Sequence, residues 1–249
     1  MHLQPILELK RPTLLPETWL PEVMAWLPMP YVLYLDDQGR TMAVAHAVGA
    51  GSTDTLFVCH LDTVHRRPGH QTIHPVKGLT QAWITPDGEC LGADDGAGVW
   101  LMLELIAAGV PGTYLFHLGE ESGCRGSRWM AEQQAGWLKG FSRCIGLDRP
   151  GTTDVVTHFV GTRGCRQSFA EQLSGRLSKG LSGYALTPCH RGGLTDAMSY
   201  IGLIPECTNI SVGYHQQHGP REWLDAGYLR ALKWALIEVF GGGGLKVGQ

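Results

Sequence analysis

Leu91-Gly92-Ala93-Asp94-Asp95-Gly96-Ala97-Gly98 sets two adjacent carboxylates among small residues, directly before the apolar run Val99–Ile106. Glycines on both sides let the backbone turn tightly, so both acids can be presented at a helix start. Alone, the stretch also reads as ordinary acidic capping of a helix. Further along, His60-Leu61-Asp62 pairs an imidazole with an acid that can accept the proton of the far ring nitrogen and fix the tautomer able to bind a metal. It is equally a polar turn after a strand. Glu120-Glu121 puts two like charges side by side. A divalent cation relieves that repulsion, so that one carboxylate ligates while the other stays free to take a proton from water. A solvated loop is the alternative. Asp148 is either a ligand or a turn residue. In His215-Gln216-Gln217-His218, one imidazole is a candidate ligand and the other a loop histidine.

These groups need elements to carry them. Tyr31–Leu35 and Thr41–Ala47 read as a hairpin around Asp36-Asp37-Gln38-Gly39. Strands are expected at Thr55–Cys59, Gln81–Thr85, Gly112–His117, Arg143–Leu147, Asp154–Phe159, Arg166–Ala170 and Cys207–Val212. Helices are expected at Glu17–Leu27, Val99–Ala108, Ser127–Ala135, Thr195–Ile201 and Ala226–Phe240. Alternating strands and helices indicate a three-layer α/β/α fold around a mixed, mostly parallel sheet. His60, Glu120 and Asp148 all fall just past the C-terminal ends of expected strands, the edge along which open α/β sheets bind ligands.

The 249 residues suffice for one large domain with a substantial core. Hydrophobic residues make up 43% and charged residues 17%, an ordinary globular composition, and the net charge of −3 does not advertise nucleic acid or an anionic membrane. No apolar run has the length of a membrane span. The start, Met1-His2-Leu3-Gln4-Pro5, lacks the basic region and apolar core of a secretory signal. Seven scattered cysteines without paired spacing point to reduced thiols and a cytoplasmic setting. Residues 1–240 are expected to form one catalytic domain, with 241–249 as a flexible tail.

In combination, the motifs resemble the di-zinc amino- and carboxypeptidases, the clan that includes peptidase T and the glutamate carboxypeptidases. The matching pieces are His60-Leu61-Asp62-Thr63-Val64, Gly92-Ala93-Asp94-Asp95-Gly96, Gly119-Glu120-Glu121-Ser122-Gly123, Asp148, Arg191-Gly192-Gly193-Leu194-Thr195-Asp196-Ala197, and Gly213-Tyr214-His215-Gln216-Gln217-His218 with Glu222-Trp223 behind it. The resemblance covers about residues 31–240 and implies a zinc exopeptidase-like fold with two divalent ions, zinc ahead of cobalt or manganese. It implies that Asp94 bridges the ions, that His60 and Asp148 hold one, and that Glu121 and His218 hold the other. Glu120 is then the general base and Asp62 the group that holds His60. A cis peptide between Asp94 and Asp95 is expected as well. The substrate-binding candidates are Arg191, Asp196 and Tyr214. His158, His190, Arg191 and Tyr214 are candidates for stabilising an oxyanion.

One departure concerns length. Peptidase T relatives insert a lid or dimerisation domain before the last histidine, whereas here 69 residues separate Asp148 from His218. The segment 164–193 is expected to be a short stub of that insertion. The activity implied is removal of an N-terminal residue from a short peptide, in a chain able to form a homo-oligomer. Alternatives are a carboxypeptidase or N-acyl amino acid amidohydrolase of the same clan, or a metal- or peptide-binding protein without turnover.

Overall fold

In the computed structural model, which describes residues 3–49, 54–75, 82–85 and 89–242, the main strands join in one eight-stranded sheet. They are β1 (Val32–Leu35), β2 (Thr41–Val48), β3 (Thr55–His60), β4 (Gly112–His117), β5 (Arg143–Arg149), β6 (Asp154–Val156), β7 (Thr187–Cys189) and β8 (Glu206–Ser211). Across the sheet they run β7-β6-β8-β5-β3-β4-β2-β1. The four central strands, β8, β5, β3 and β4, are parallel. On one side β2 and β1 continue antiparallel. On the other, β6 pairs antiparallel with β8 and parallel with β7. The sheet is therefore mixed with a parallel centre, as the alternation of elements predicts.

Alternation along each strand dictates the layers. In β3, Leu56 and Val58 enter one core while Phe57 and Cys59 enter the other. A strand apolar at successive positions must be covered on both faces. Helices α1 (Ala93–Ala107), α3 (Gln167–Gly180) and α4 (Ala226–Gly241) cover one face, together with the short N-terminal helix Leu3–Glu8. The other face is covered by α2 (Arg125–Gln133) and a 3₁₀ turn at Asp196–Tyr200. A second sheet orders Tyr214–His215, Trp223–Asp225, Ala82–Ile84 and His74–Pro75 in antiparallel pairs. The loop between its first two strands carries His218 and Glu222.

Several local expectations are corrected. Arg166–Ala170 is not a strand, because α3 begins at Gln167. Phe169, Leu173 and Leu177 recur at helical spacing and pack on α4, a repeat that a five-residue window cannot reveal. The segment 164–193 holds α3 and β7, so it contributes a covering helix and an edge strand to the main layers. Glu17–Leu27 yields only the 3₁₀ turn Pro16–Thr18 and the helix Leu20–Met24, whose first turn holds Pro21, a residue that starts a helix but cannot lie in its interior. Asp154–Phe159 divides at Thr157, and His158–Phe159 pairs with Thr162–Arg163 in a separate hairpin. Helix α4 runs to Gly241, while residues 243–249 of the expected tail, like Gln81, lie outside the described residues. All seven cysteines are free and buried. No helix among the described residues is long and apolar enough to cross a membrane.

Candidate metal centre

The parallel strands end at a common edge. β3 closes on His60, β4 leads into Gly119-Glu120-Glu121, β5 carries Asp148, and β8 leads through Gly213 into the hairpin bearing His218. Helix α1 enters from Gly92, which takes the left-handed conformation at φ 71°. Asp94 and Asp95 keep non-helical dihedrals, and the peptide between them is cis. Gly98, in the second turn, lies so close to β5 that a Cβ would stand 2.0 Å from the Leu147 carbonyl and 2.5 Å from the Asp95 carboxylate. Only glycine lets α1 pack this tightly on the strand that delivers Asp148.

Two groups of three donor atoms meet at Asp94. His60 Nε2 lies 3.2 Å from Asp94 Oδ1 and 3.5 Å from Asp148 Oδ1. His218 Nε2 lies 3.0 Å from Asp94 Oδ2 and 3.2 Å from Glu121 Oε2. The five side chains named from the sequence thus converge, and the two oxygens of Asp94 face different imidazoles. His60 Nδ1 donates to the Asp62 backbone carbonyl at 2.9 Å, which turns Nε2 toward the Asp94 and Asp148 carboxylates.

Asp62 differs in detail from the expected orienter of His60. Its carboxylate is 3.7 Å from His60 Nδ1. It accepts instead the backbone amides of Gly119, Glu120 and Glu121 at 2.8, 3.2 and 3.3 Å, and the Thr13 hydroxyl at 2.5 Å. Asp62 therefore holds the loop of the paired glutamates, while its main chain holds His60. Asp95 accepts the amides of Gly98 and His60 at 2.9 and 3.3 Å. That keeps both its oxygens occupied, although one of them lies near His60 and Asp148.

Other groups support the centre through contacts that the sequence did not specify. Asp148 accepts the Thr195 hydroxyl at 2.8 Å and the Tyr214 hydroxyl at 3.1 Å. Its main-chain N–H and carbonyl are both bonded by the Asn209 side chain, at 2.9 and 3.1 Å. Glu222 is buried and accepts the amides of Gly92 and Asp94. Nothing marked Asn209 out, because its strand Glu206–Ser211 also carries Glu206, Thr208 and Ser211.

The other candidates take different places. A cavity of about 340 Å³ opens over the centre, lined by Asp94, Glu120, Tyr214 and His218 with Phe159 and Leu194. Arg191 is exposed and Asp196 buried, and neither lines this cavity. Asp196 faces His117 at 3.2 Å beneath the sheet edge. His158 and His190 turn their Nδ1 atoms to each other at 3.1 Å and to the Thr157 hydroxyl. Of the oxyanion candidates, only Tyr214 lines the cavity.

Crowded charge shapes the titration of these groups. Burial raises the Glu120 carboxyl to about 9, with Asp148, Asp196 and Asp94 adding to the effect against His60. Burial also lifts Asp148 to about 6, opposed by His60. Burial works against charge on His60, yet Asp148, Asp62 and Asp94 outweigh it and hold the imidazole well above its usual range. Hydrogen bonds to Asp94 and Glu121 lift His218 to about 10. Such a cluster of acids is short of positive charge, and Glu121 Oε1 is buried without a hydrogen-bond partner. Donor separations of 3.0–3.5 Å bracket the roughly 3.3 Å edge of a tetrahedron of zinc–ligand bonds. On donor chemistry and spacing these residues fit a divalent-metal site, with donor atoms of His60, Asp94 and Glu121 clustered together and those of His60, Asp95 and Asp148 likewise.

The model of peptidase family M28 matches residues 43–237. The fold is similar to the aminopeptidase PepT of Bacillus cereus, with a TM-score of 0.73 at 15% identity over 94% of this chain and 95% of that one. A tripeptidase of Staphylococcus aureus gives 0.71 at 13% identity over 96% and 95%. A TET aminopeptidase from a marine sediment thaumarchaeote gives 0.67 at 13% identity over 98% and 97%. No curated protein matches the sequence significantly.

Proposed function

The chain belongs to peptidase family M28, and from that premise we propose that it is a two-metal aminopeptidase acting on short peptides. The observation that carries this is the division of the Asp94 carboxylate between His60 at 3.2 Å and His218 at 3.0 Å, each imidazole with a further carboxylate beside it. In this reading Asp94 bridges, His60 and Asp148 hold one ion, and Glu121 and His218 hold the other, with zinc as the native metal. When bound, the ions polarise the scissile carbonyl and acidify a water.

The chain's own residues do the rest. Glu120 takes the proton and returns it to the leaving amine. Asp62, through the amides of Gly119, Glu120 and Glu121, holds that base and the neighbouring ligand in register. Tyr214, whose hydroxyl already reaches Asp148, is the group best placed to meet a developing oxyanion. The cavity of about 340 Å³ suits a short peptide. Residues 1–240 act as one catalytic domain. The seven free, buried thiols support a reducing, cytoplasmic setting. Val32, Leu33 and Leu35, exposed on edge strand β1, support self-association.

The test compares free-amine aminoacyl p-nitroanilides and dipeptides with N-acylated amino acids, before and after metal depletion. Hydrolysis of the free-amine substrates is expected, together with a fall of about 10²–10⁴-fold in Glu120→Ala. Full activity in Glu120→Ala refutes the base. A preference for N-acylated substrates moves the reading to the amidohydrolases.

A further inference from the structure

Arg11 lies ahead of the stretch that matches the family model, in a proline-rich arm whose pattern suggested no chemistry. Its side chain is nonetheless among the largest fully buried in the molecule. Nε donates to the Leu61 carbonyl at 2.6 Å, Nη1 to the Ile6 carbonyl at 2.5 Å and Nη2 to the Gly92 carbonyl at 3.3 Å. Leu61 stands between His60 and Asp62, and Gly92 stands two residues before Asp94. One guanidinium therefore spans the two loops that bring the first imidazole and the shared carboxylate.

The surrounding main chain repeats the link. The Arg11 amide donates to Thr63 Oγ1 at 3.3 Å, and the Thr63 amide donates to the Arg11 carbonyl at 2.7 Å. Two residues on, the Thr13 hydroxyl reaches Asp62. On the opposite side of the Gly92 loop, Glu222 takes the amides of Gly92 and Asp94. The loop is thus gripped by a buried guanidinium at its carbonyl and a buried carboxyl group at its amides. Burying a guanidinium on carbonyl acceptors alone is costly, and burial does lower its pKa to about 10. The nearby charges of Asp95 and Asp62 offset that cost. Its planar fork of N–H donors can hold three acceptors in fixed directions, which a lysine ammonium cannot reproduce.

We propose that Arg11 is a positioning residue of the metal centre, setting the placement of the His60 loop relative to the Asp94 loop from an arm outside the family-matched region. The inference rests on the metal reading above. Arg11→Lys and Arg11→Met would be prepared metal-free. Their affinity for Zn²⁺ would be measured by competition with a chromogenic chelator, and the visible spectrum recorded with Co²⁺ bound.

The expected result is a loss of about 10–100-fold in affinity, as for other groups that orient metal ligands, with a changed cobalt spectrum in both variants. A role confined to stability would lower the melting temperature and leave the affinity and spectrum of the folded protein as they were, and that outcome overturns the proposal. Should neither variant fold, hydrogen exchange on the unaltered protein decides. Zn²⁺ loading should slow exchange at the Arg11 and Thr63 amides, and unchanged exchange there overturns the coupling. If the unaltered protein binds neither Zn²⁺ nor Co²⁺, it is the metal reading itself that fails.

Discussion

Glu222 Oε1 accepts the backbone amide of Asp94 at 2.9 Å, across 128 positions of the chain. The other carboxylate oxygen takes the Gly92 amide at 3.0 Å. A buried acid from the loop that also carries His218 therefore holds the main chain that presents Asp94. In Glu222→Gln the new amide group can accept from only one of these N–H groups. The expected cost is about 1–3 kcal/mol of stability, with weaker metal binding. Denaturant unfolding and a Co²⁺ titration measure the two effects, and a variant unchanged in both removes Glu222 from the support.

Stoichiometry tests the proposed bridging role of Asp94. Asp94→Ala should abolish tight binding of both ions, because each loses a ligand at once. His218→Ala should leave about one tightly held equivalent, because the His60 and Asp148 side is intact. Metal analysis after dialysis reads the difference. Two equivalents retained in Asp94→Ala would remove the bridge.

The crowded acids predict a pH trend for the metal-free protein. Glu120 sits at about 9 and Asp148 at about 6, both above the values of an unfolded chain, and His60 is raised in the same sense. The folded state therefore holds more protons than the unfolded chain from about pH 4 to about pH 9, and stability falls as pH rises through that window. Asp94 and Asp62 are lowered, so their contribution is lost only below the ordinary aspartate range. Melting temperature should drop between about pH 5.5 and about pH 8.5, and saturating Zn²⁺ should abolish the drop. A metal-free protein more stable at the higher pH contradicts this account.

Gly98→Ala tests how closely α1 must approach β5. A Cβ 2.0 Å from the Leu147 carbonyl forces strand and helix apart, at a cost of about 3 kcal/mol or more. Because Asp94 and Asp148 ride on those two elements, metal affinity should fall with stability. A variant with the parental melting temperature would show that the contact relaxes freely.

Legibility in the sequence followed the range of the signal. The strands that deliver His60, Glu120 and Asp148 are short apolar runs ending in polar residues, and that pattern is local. The five side chains that converge at Asp94 were nameable because motif order reinforced each weak piece. Arg166–Ala170 was misread because its helical repeat becomes visible only when Leu173 and Leu177 are included. Arg191 and Asp196 share the motif run with Thr195, yet only Thr195 reaches Asp148. Which residues of a loop face a cavity depends on what packs behind them.

Residue type and order alone determined the parallel centre and the strand ends after which His60, Glu120 and Asp148 fall, because periodicity and strand ends are written within a few residues, whereas the proposed ligand set followed from the resemblance of the motifs taken in order. Tertiary structure alone decided that Asp62 serves the glutamate loop more than His60, that Glu222 holds the chain at Asp94, and that Arg11 joins two loops from the far N-terminal arm. Those roles belong to hydrogen bonds between main-chain groups and side chains 50 or more positions apart, for which no local pattern exists.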